Sequence, residues 1–197
     1  MGNYTVIGTA KSRAFRVLWM LEELQAPYTH VAVSPRDQVV RGHNPSGKVP
    51  VLLAGDAVLT DSAAILTYLA DSHAQLTEPA GTLARAHQDA ITHLVLDELD
   101  ALLWAAARHS FVLPEDRRVP EVKDSLRWEF TRNCRRLATR MGDAPFAAGD
   151  QMRITDIILT HCLGWAINAK FEIEAPSLLD YLGRMRERPA FIRASAR

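Results

Sequence analysis

The sequence predicts an α/β unit followed by an all-helical unit, and three observations carry that reading. Up to residue 73, short apolar runs and helical patterns follow the order β-α-β…β-β-α. Pro79 and Gly81 then punctuate the chain. Beyond them, every periodic segment has helical spacing.

Tyr4 to Gly8 is a short apolar strand, and Thr9-Ala10-Lys11-Ser12 is a loop. From Arg13 to Leu24, the residues Ala14, Val17, Leu18 and Leu21 recur at i, i+3, i+4 and i+7, the mark of an amphipathic helix. Pro27 follows its end, and Tyr28 to Val33 reads as a second strand. Ser34 to Gly47 is irregular or briefly helical. Pro50 opens the run Val51-Leu52-Leu53, Gly55-Asp56 turns the chain, and Ala57-Val58-Leu59-Thr60 returns it. A helix follows from Asp61 to about Asp71. A parallel pair joined by a crossover helix, with an antiparallel pair after it, is a thioredoxin-like layout. His73 to Gly81 is the linker, which gives units at 1–73 and 82–197. In the second unit, Leu83 to about His109 is a long amphipathic helix, Pro114 and Pro120 bracket a loop, and Glu121 to Met141 is a second long helix. Ile154 to about Lys170 is apolar nearly all round, as a buried central helix must be. Pro176 and Pro189 punctuate two final short helices.

Composition narrows the function. The 197 residues are 48% hydrophobic and 23% charged, ordinary for a globular protein, with a formal net charge of zero. No basic field therefore recruits nucleic acid or an anionic membrane. No apolar run approaches the roughly 18 residues of a membrane span. Met1-Gly2-Asn3-Tyr4 lacks the start of a secretion signal, and the strand that follows argues against acylation at Gly2. The two cysteines, Cys134 and Cys162, are far apart, which supports neither a disulfide framework nor a zinc ribbon and points to a reducing cytoplasm.

The most informative stretch is Lys48-Val49-Pro50, with Asp61-Ser62 shortly after the hairpin. Proline cannot donate to a ladder, so Pro50 belongs at a strand entrance, where a cis bond is often kept for a reason. An extended Val49 with free N–H and C=O can pair with a peptide ligand as one more strand. Asp61-Ser62 opens a helix whose N–H groups and hydroxyl suit a carboxylate. Together these features describe a site for a small acidic peptide.

At these residues the chain resembles the glutathione S-transferases. The resemblance extends over nearly the whole chain: Arg13 to Tyr28 looks like the family's first helix, Phe146 to Asp150 with Ile154-Thr155-Asp156-Ile157 like its C-domain signature, and Tyr181 to Phe191 like its C-terminal end. It implies a thioredoxin-like glutathione-binding domain, an all-helical domain that holds an electrophile, an active site in the cleft between them, and a homodimer. The Val49 backbone, beside Pro50, then binds the cysteinyl part of glutathione, Lys48 either reaches its glycyl carboxylate or only decorates the turn, and Asp61 and Ser62 hold its γ-glutamyl end. Arg13, Arg36 and Arg41 are further candidates for the glycyl carboxylate. Glutathione is a co-substrate, and no metal spacing stands out, since His161 and Cys162 read as core residues.

The resemblance also places a thiolate donor in the loop before the first helix, at Ser12 or else Thr9. Tyr4 lies too early for a tyrosine-type site, and no cysteine occupies the loop, so a serine-type enzyme is implied. A serine there can equally cap the helix. Trp104, Arg108, His109 and Phe111 fall where the family forms its electrophile pocket, and Asp97 and Asp100 lie on the same helix. Two departures stand out. Asp61 replaces a commoner Glu or Gln, and Arg153 stands where Ser or Thr caps the central helix. The implied reaction is conjugation of glutathione to a hydrophobic electrophile in detoxification. The alternatives are a glutathione-dependent peroxidase, isomerase or dehalogenase, or a non-enzymatic glutathione-binding or regulatory protein.

Overall fold

The computed structural model describes residues 4–197; Met1, Gly2 and Asn3, on which the signal and acylation readings rest, lie outside the described residues. The chain forms two compact units. One runs to Ala80 and takes back Arg186–Arg197; the other is Gly81–Met185.

The first unit is built on a four-stranded mixed sheet of order β2-β1-β3-β4. The strands are β1 (Tyr4–Ile7), β2 (Tyr28–Val31), β3 (Val51–Ala54) and β4 (Ala57–Thr60). β1 runs parallel to β2, with Val6 opposite His30, and antiparallel to β3, with Ile7 opposite Val51. The crossover between the parallel strands is α1 (Ala14–Glu23), which packs on β1 and on α3 (Ser62–His73). On the other side of the sheet, Val40 of α2 (Gln38–His43) closes a cluster with Ile7 and Val51. The Val49–Pro50 bond is cis, as the strand entrance suggested.

α1 is more buried than its stripe predicts. Phe15, Arg16 and Trp19 are buried along with the apolar face. For the two aromatic residues the cause lies at the far end of the chain. In α9 (Pro189–Ser195), Phe191 meets the rings of Phe15 and Trp19 edge-on, at 5.1 and 5.0 Å. Arg188 makes two parallel bonds to Glu23, at 2.7 and 2.8 Å. Arg193 and Arg197 both donate to Glu22, at 2.7 and 2.8 Å. The sequence boundary grouped residues 186–197 with the helical region; their packing groups them with the sheet.

In the second unit the segment predicted as one helix from Leu83 comprises α4 (Leu83–Val95), a π turn (Leu96–Asp100), α5 (Ala101–Ala107) and a second π turn (Arg108–Val112). A π turn leaves backbone groups out of the regular ladder. Asn133 of α6 (Val122–Met141) compensates by donating its amide to the Glu98 carbonyl at 3.0 Å. The centre is α7 (Ile154–Asn168), whose Ile157 and Leu159 are fully buried. Thr155 on α7 and Thr92 on α4 share a buried hydroxyl–hydroxyl bond of 2.6 Å. At the start of α7, the Asp156 carboxylate accepts from the Arg153 and Ala147 N–H groups, at 2.7 and 2.8 Å, and from the Tyr181 hydroxyl at 2.8 Å. The acid half of a capping box is thus made. A guanidinium offers no acceptor for the other half. Tyr181 belongs to α8 (Pro176–Arg186).

Candidate glutathione site

Three backbone segments of the first unit converge at the ends of β1 and β3. The first is the turn from Gly8 to Arg13. Ser12 donates its hydroxyl proton to the Thr9 carbonyl at 2.7 Å, and its oxygen accepts the Ala14 N–H at 3.1 Å. The N-cap position of α1 is Arg13, so Ser12, one residue earlier, closes the turn that leads into the helix and serves its first N–H. The Thr9 hydroxyl oxygen accepts the Lys11 N–H at 3.3 Å, and among the described residues its proton is given to no group.

The second segment is the approach to Pro50. Gly47, at φ +68°, is locked against Arg36, whose N–H donates to the Gly47 carbonyl at 2.8 Å. Asn44 ties the same turn by donating to the Lys48 carbonyl at 2.9 Å. Lys48 is exposed and Val49 half-buried. None of the turn and loop hydrogen bonds among the described residues engages the Val49 N–H or C=O. Both groups remain available to an extended ligand.

Gly8 joins these two segments, and the sequence reading passed over it. At φ +136°, a side chain here would place Cβ 2.8 Å from Val49 Cβ and 3.0 Å from Ala14 Cβ. Only glycine lets the first loop and the Val49 strand approach this closely. The signal was present in the sequence as a glycine at the end of a strand run, which marks close backbone approach.

The third segment is the start of α3. Asp61, at φ +70°, accepts the Ala63 and Ala64 N–H groups, at 2.9 and 3.0 Å. The expectation of free N–H groups here holds in part, because the Asp61 carboxylate takes two of them. Ser62 is buried, and its hydroxyl oxygen accepts from the buried Arg16 guanidinium at 3.2 Å. Arg16 ties α1 to the Asp61-Ser62 turn, a role the helical stripe gave no reason to suspect. Of the other cations considered, Arg36 and Arg41 are exposed.

The second unit carries the remaining predicted residues. Trp104 on α5 is half-buried; Arg108 is exposed, and Phe111 is 70% exposed. The His109 Nδ1 accepts the Val119 N–H at 3.0 Å, which places the proton of the neutral ring on Nε2. Asp97 is exposed, whereas Asp100 is buried. A surface groove beside Leu21, Glu22, Tyr28, Arg193 and Arg197 lies at the opposite end of α1 from Ser12, and its arginines are committed to Glu22.

Comparison with known proteins bears on the fold and the family. Residues 12–72 match the family described as glutathione S-transferase, N-terminal domain. Glutathione S-transferase GstA of Escherichia coli O157:H7 is 29% identical over 150 residues, covering 74% of this chain and 71% of that protein. The crystal structure of the theta class glutathione S-transferase from Xanthomonas axonopodis pv. citri, with glutathione bound, superposes with a TM-score of 0.79 at 26% identity, covering 98% of this chain and 97% of that one. Residues 12–72 thus match a glutathione S-transferase N-terminal domain, and the chain as a whole is similar to glutathione S-transferases. The fold extends across kingdoms: Gtt2 of Saccharomyces cerevisiae superposes with a TM-score of 0.85 at 20% identity, over 96% of this chain and 99% of that one. No helix among the described residues is long and apolar enough to cross a membrane.

Proposed function

We propose that the protein is a glutathione transferase that ionises the thiol of bound glutathione and conjugates it to a hydrophobic electrophile. The observation that carries this is the unengaged Val49 backbone, packed against Gly8 where the Thr9–Ser12 turn begins. An extended Val49 pairs with the cysteinyl backbone of the peptide, Lys48 faces its glycyl end, and Asp61 and Ser62 take its γ-glutamyl end. That pairing sets the cysteinyl sulfur beside the Thr9–Ser12 turn.

The chemistry is one proton loss and one displacement. The glutathione S–H gives its proton to solvent. The thiolate then forms a bond to the electrophilic carbon, and the leaving group departs with its electron pair. An ordinary thiol, with a pKa of about 8.5, is only a few per cent ionised at neutral pH, so stabilising the anion raises the rate. Ser12 is the proposed donor. Its proton must leave the Thr9 carbonyl, a loss of about 1 kcal/mol, but a hydrogen bond to an anion is worth roughly 1.5–3 kcal/mol. The exchange is favourable. The undonated proton of Thr9 supports a second reading, in which Thr9 is the donor and Ser12 only closes the turn into α1.

The proposed electrophile contacts are Trp104, Arg108, His109 and Phe111 of the helical unit. We further propose a cytoplasmic homodimer with a detoxification role. Two free, buried cysteines fit a reducing compartment, and exposed Val58 and Tyr68 offer apolar surface to a second copy.

The test is a pH–rate profile of conjugation, run beside a glutathione titration and a hydroperoxide assay. Ser12→Ala is expected to move the kinetic pKa upward and to slow the neutral-pH rate on the order of 10²-fold, the usual effect of removing a donor to a developing anion. Thr9→Ala should do less. A profile moved by Thr9→Ala alone transfers the role to Thr9. Glutathione binding without turnover makes the protein a binding module, and no binding ends the proposal.

A further inference from the structure

We propose that the helical unit holds a divalent metal site of the zinc type, formed by Asp100, His161 and Cys162. One ligand atom from each residue lies within 4.8 Å of the other two. Cys162 Sγ donates to Asp100 Oδ1 at 3.4 Å. Asp100 and Cys162 are buried, and His161 is half-buried.

The arrangement arises where two elements meet. His161 and Cys162 are successive residues of α7 and so point about 100° apart around the helix. Asp100 closes the gap from the end of the first π turn, which packs against α7. π turns recur at functional positions because they re-aim a side chain out of helical register. Sequence spacing gives no hint of this cluster, since its third member lies about sixty residues before the other two.

Geometry and charge both suit an ion. Three atoms no more than 4.8 Å apart have a common point within about 2.8 Å of each. Zinc ligands stand at roughly 2.0–2.3 Å, so about half an ångström of side-chain movement closes the site. Thiolate, imidazole and carboxylate form a mixed set that suits zinc. When the ion binds, the Cys162 S–H bond breaks, the sulfur keeps the electron pair and bonds to the metal, and the proton passes to solvent. One carboxylate, one thiolate, one neutral imidazole and one dication sum to zero. The core then holds a neutral cluster, in which the ion balances the charges of the buried carboxylate and thiolate. A water completes the tetrahedron on the half-exposed His161 side. The ion would tie α7 to the helical segment carrying Trp104.

The experiment uses the whole chain, without a histidine tag, stripped with a chelator and titrated with Co²⁺ and then Zn²⁺. One equivalent of Co²⁺ is expected to raise a thiolate-to-cobalt charge-transfer band, which Zn²⁺ abolishes. Cys162→Ser should lose the band. His161→Gln and Asp100→Asn should each weaken binding at least tenfold, and Cys134→Ser should change nothing. Bound Zn²⁺ should raise the melting temperature of the wild type, because it stabilises only the folded state, and should not do so in Cys162→Ser. If Cys162→Ser does not fold, His161→Gln, at the half-exposed edge, carries the same test. A band that is absent, that survives Cys162→Ser, or that depends on Cys134 overturns the proposal. Glutathione binding is measured separately on the same samples, so failure at the metal site leaves the transferase reading standing.

Discussion

Gly8→Ala tests whether close approach of two backbone segments builds the glutathione site. The added Cβ would stand 2.8 Å from Val49 Cβ, 3.0 Å from Ala14 Cβ and 3.2 Å from Val49 Cγ1. Carbon atoms rest at about 3.5–4.0 Å, so relief requires a shift of about 1 Å. Two of the three colliding atoms are Cβ atoms, which move only with their backbone. Overpacking of this kind costs about 1–3 kcal/mol, and holding alanine at φ +136° costs about 1–3 kcal/mol more. The destabilisation expected is therefore about 2–6 kcal/mol. The effect on binding follows from the same shift. A Val49 backbone displaced by about 1 Å would stretch the two hydrogen bonds proposed between it and glutathione beyond useful length. Two such bonds are worth roughly 1–3 kcal/mol net, or about 5- to 150-fold in the glutathione Kd.

Urea unfolding gives the first quantity and calorimetric titration with glutathione the second. Gly55→Ala is the matched control. Gly55 also has a positive φ, +59°, but an added Cβ there meets nothing within 4 Å. It should lose a little stability through φ alone and leave the Kd unchanged. If Gly8→Ala behaves like Gly55→Ala, with a Kd within about twofold of wild type, the argument from close approach fails.

Asp61 separates capping from ligand contact. Asp61→Asn keeps an acceptor for Ala63 and Ala64 and tolerates a positive φ, so stability should hold while the loss of charge raises the Michaelis constant for glutathione. Asp61→Ala should lose a further 0.5–2 kcal/mol or so of capping, measured by thermal melting. Glu22 sets an acid limit. Burial raises the pKa of its carboxyl, but hydrogen bonds from Arg197, Arg193 and Tyr28 outweigh this and hold it below its ordinary 4.5. The unfolded chain thus binds the proton more readily. Stability from Glu22 should be complete above about pH 5 and lost as pH falls through the lower folded value, so Glu22→Gln should flatten the urea midpoint against pH from about 6 to 3. An unchanged slope counts against the Glu22 clamp. Tyr181→Phe removes a buried donor to the Asp156 carboxylate and should cost about 1.5–3 kcal/mol in urea unfolding; a loss under about 0.5 kcal/mol would show that the two backbone N–H groups suffice.

How far the sequence could be read depended on the range of the interactions. The order of strands and helices was legible because the periodicity of Ala14, Val17, Leu18 and Leu21, and the punctuation by Pro27, Pro50 and Gly55, report local geometry. The burial of α1 was not. Phe191 and Arg188 reach Trp19 and Glu23 across more than 160 positions, and nothing local to α1 announces a second covered face. Arg16 misled for the same reason. On an isolated stripe it belongs to solvent, yet it is buried and donates to Ser62. The π turns were also hidden, because a helix that widens for one turn keeps nearly the same apolar spacing.

The candidate site was legible through a different kind of residue. Its working groups include the Val49 N–H and C=O, which every non-proline residue possesses, so the identity of Val49 says little about them. What the sequence records instead is permission for a conformation. Pro50 sets the strand entrance, Gly47 takes φ +68° against Arg36, Asp61 combines a positive φ with a cap, and Gly8 leaves room for Val49. Pro50 and Asp61 stand in a motif, while Gly8 does not, since a glycine that ends a strand looks like any other turn. Ser12 shows the converse: its residue type fits both capping and donation, and its hydrogen bonds in the structure already serve the turn into α1. If the site pairs peptide backbone with backbone, as proposed, the residues that shape the chain are the better guide. For that reason Gly8→Ala is a sharper test of the site than substitution of any one polar side chain in it.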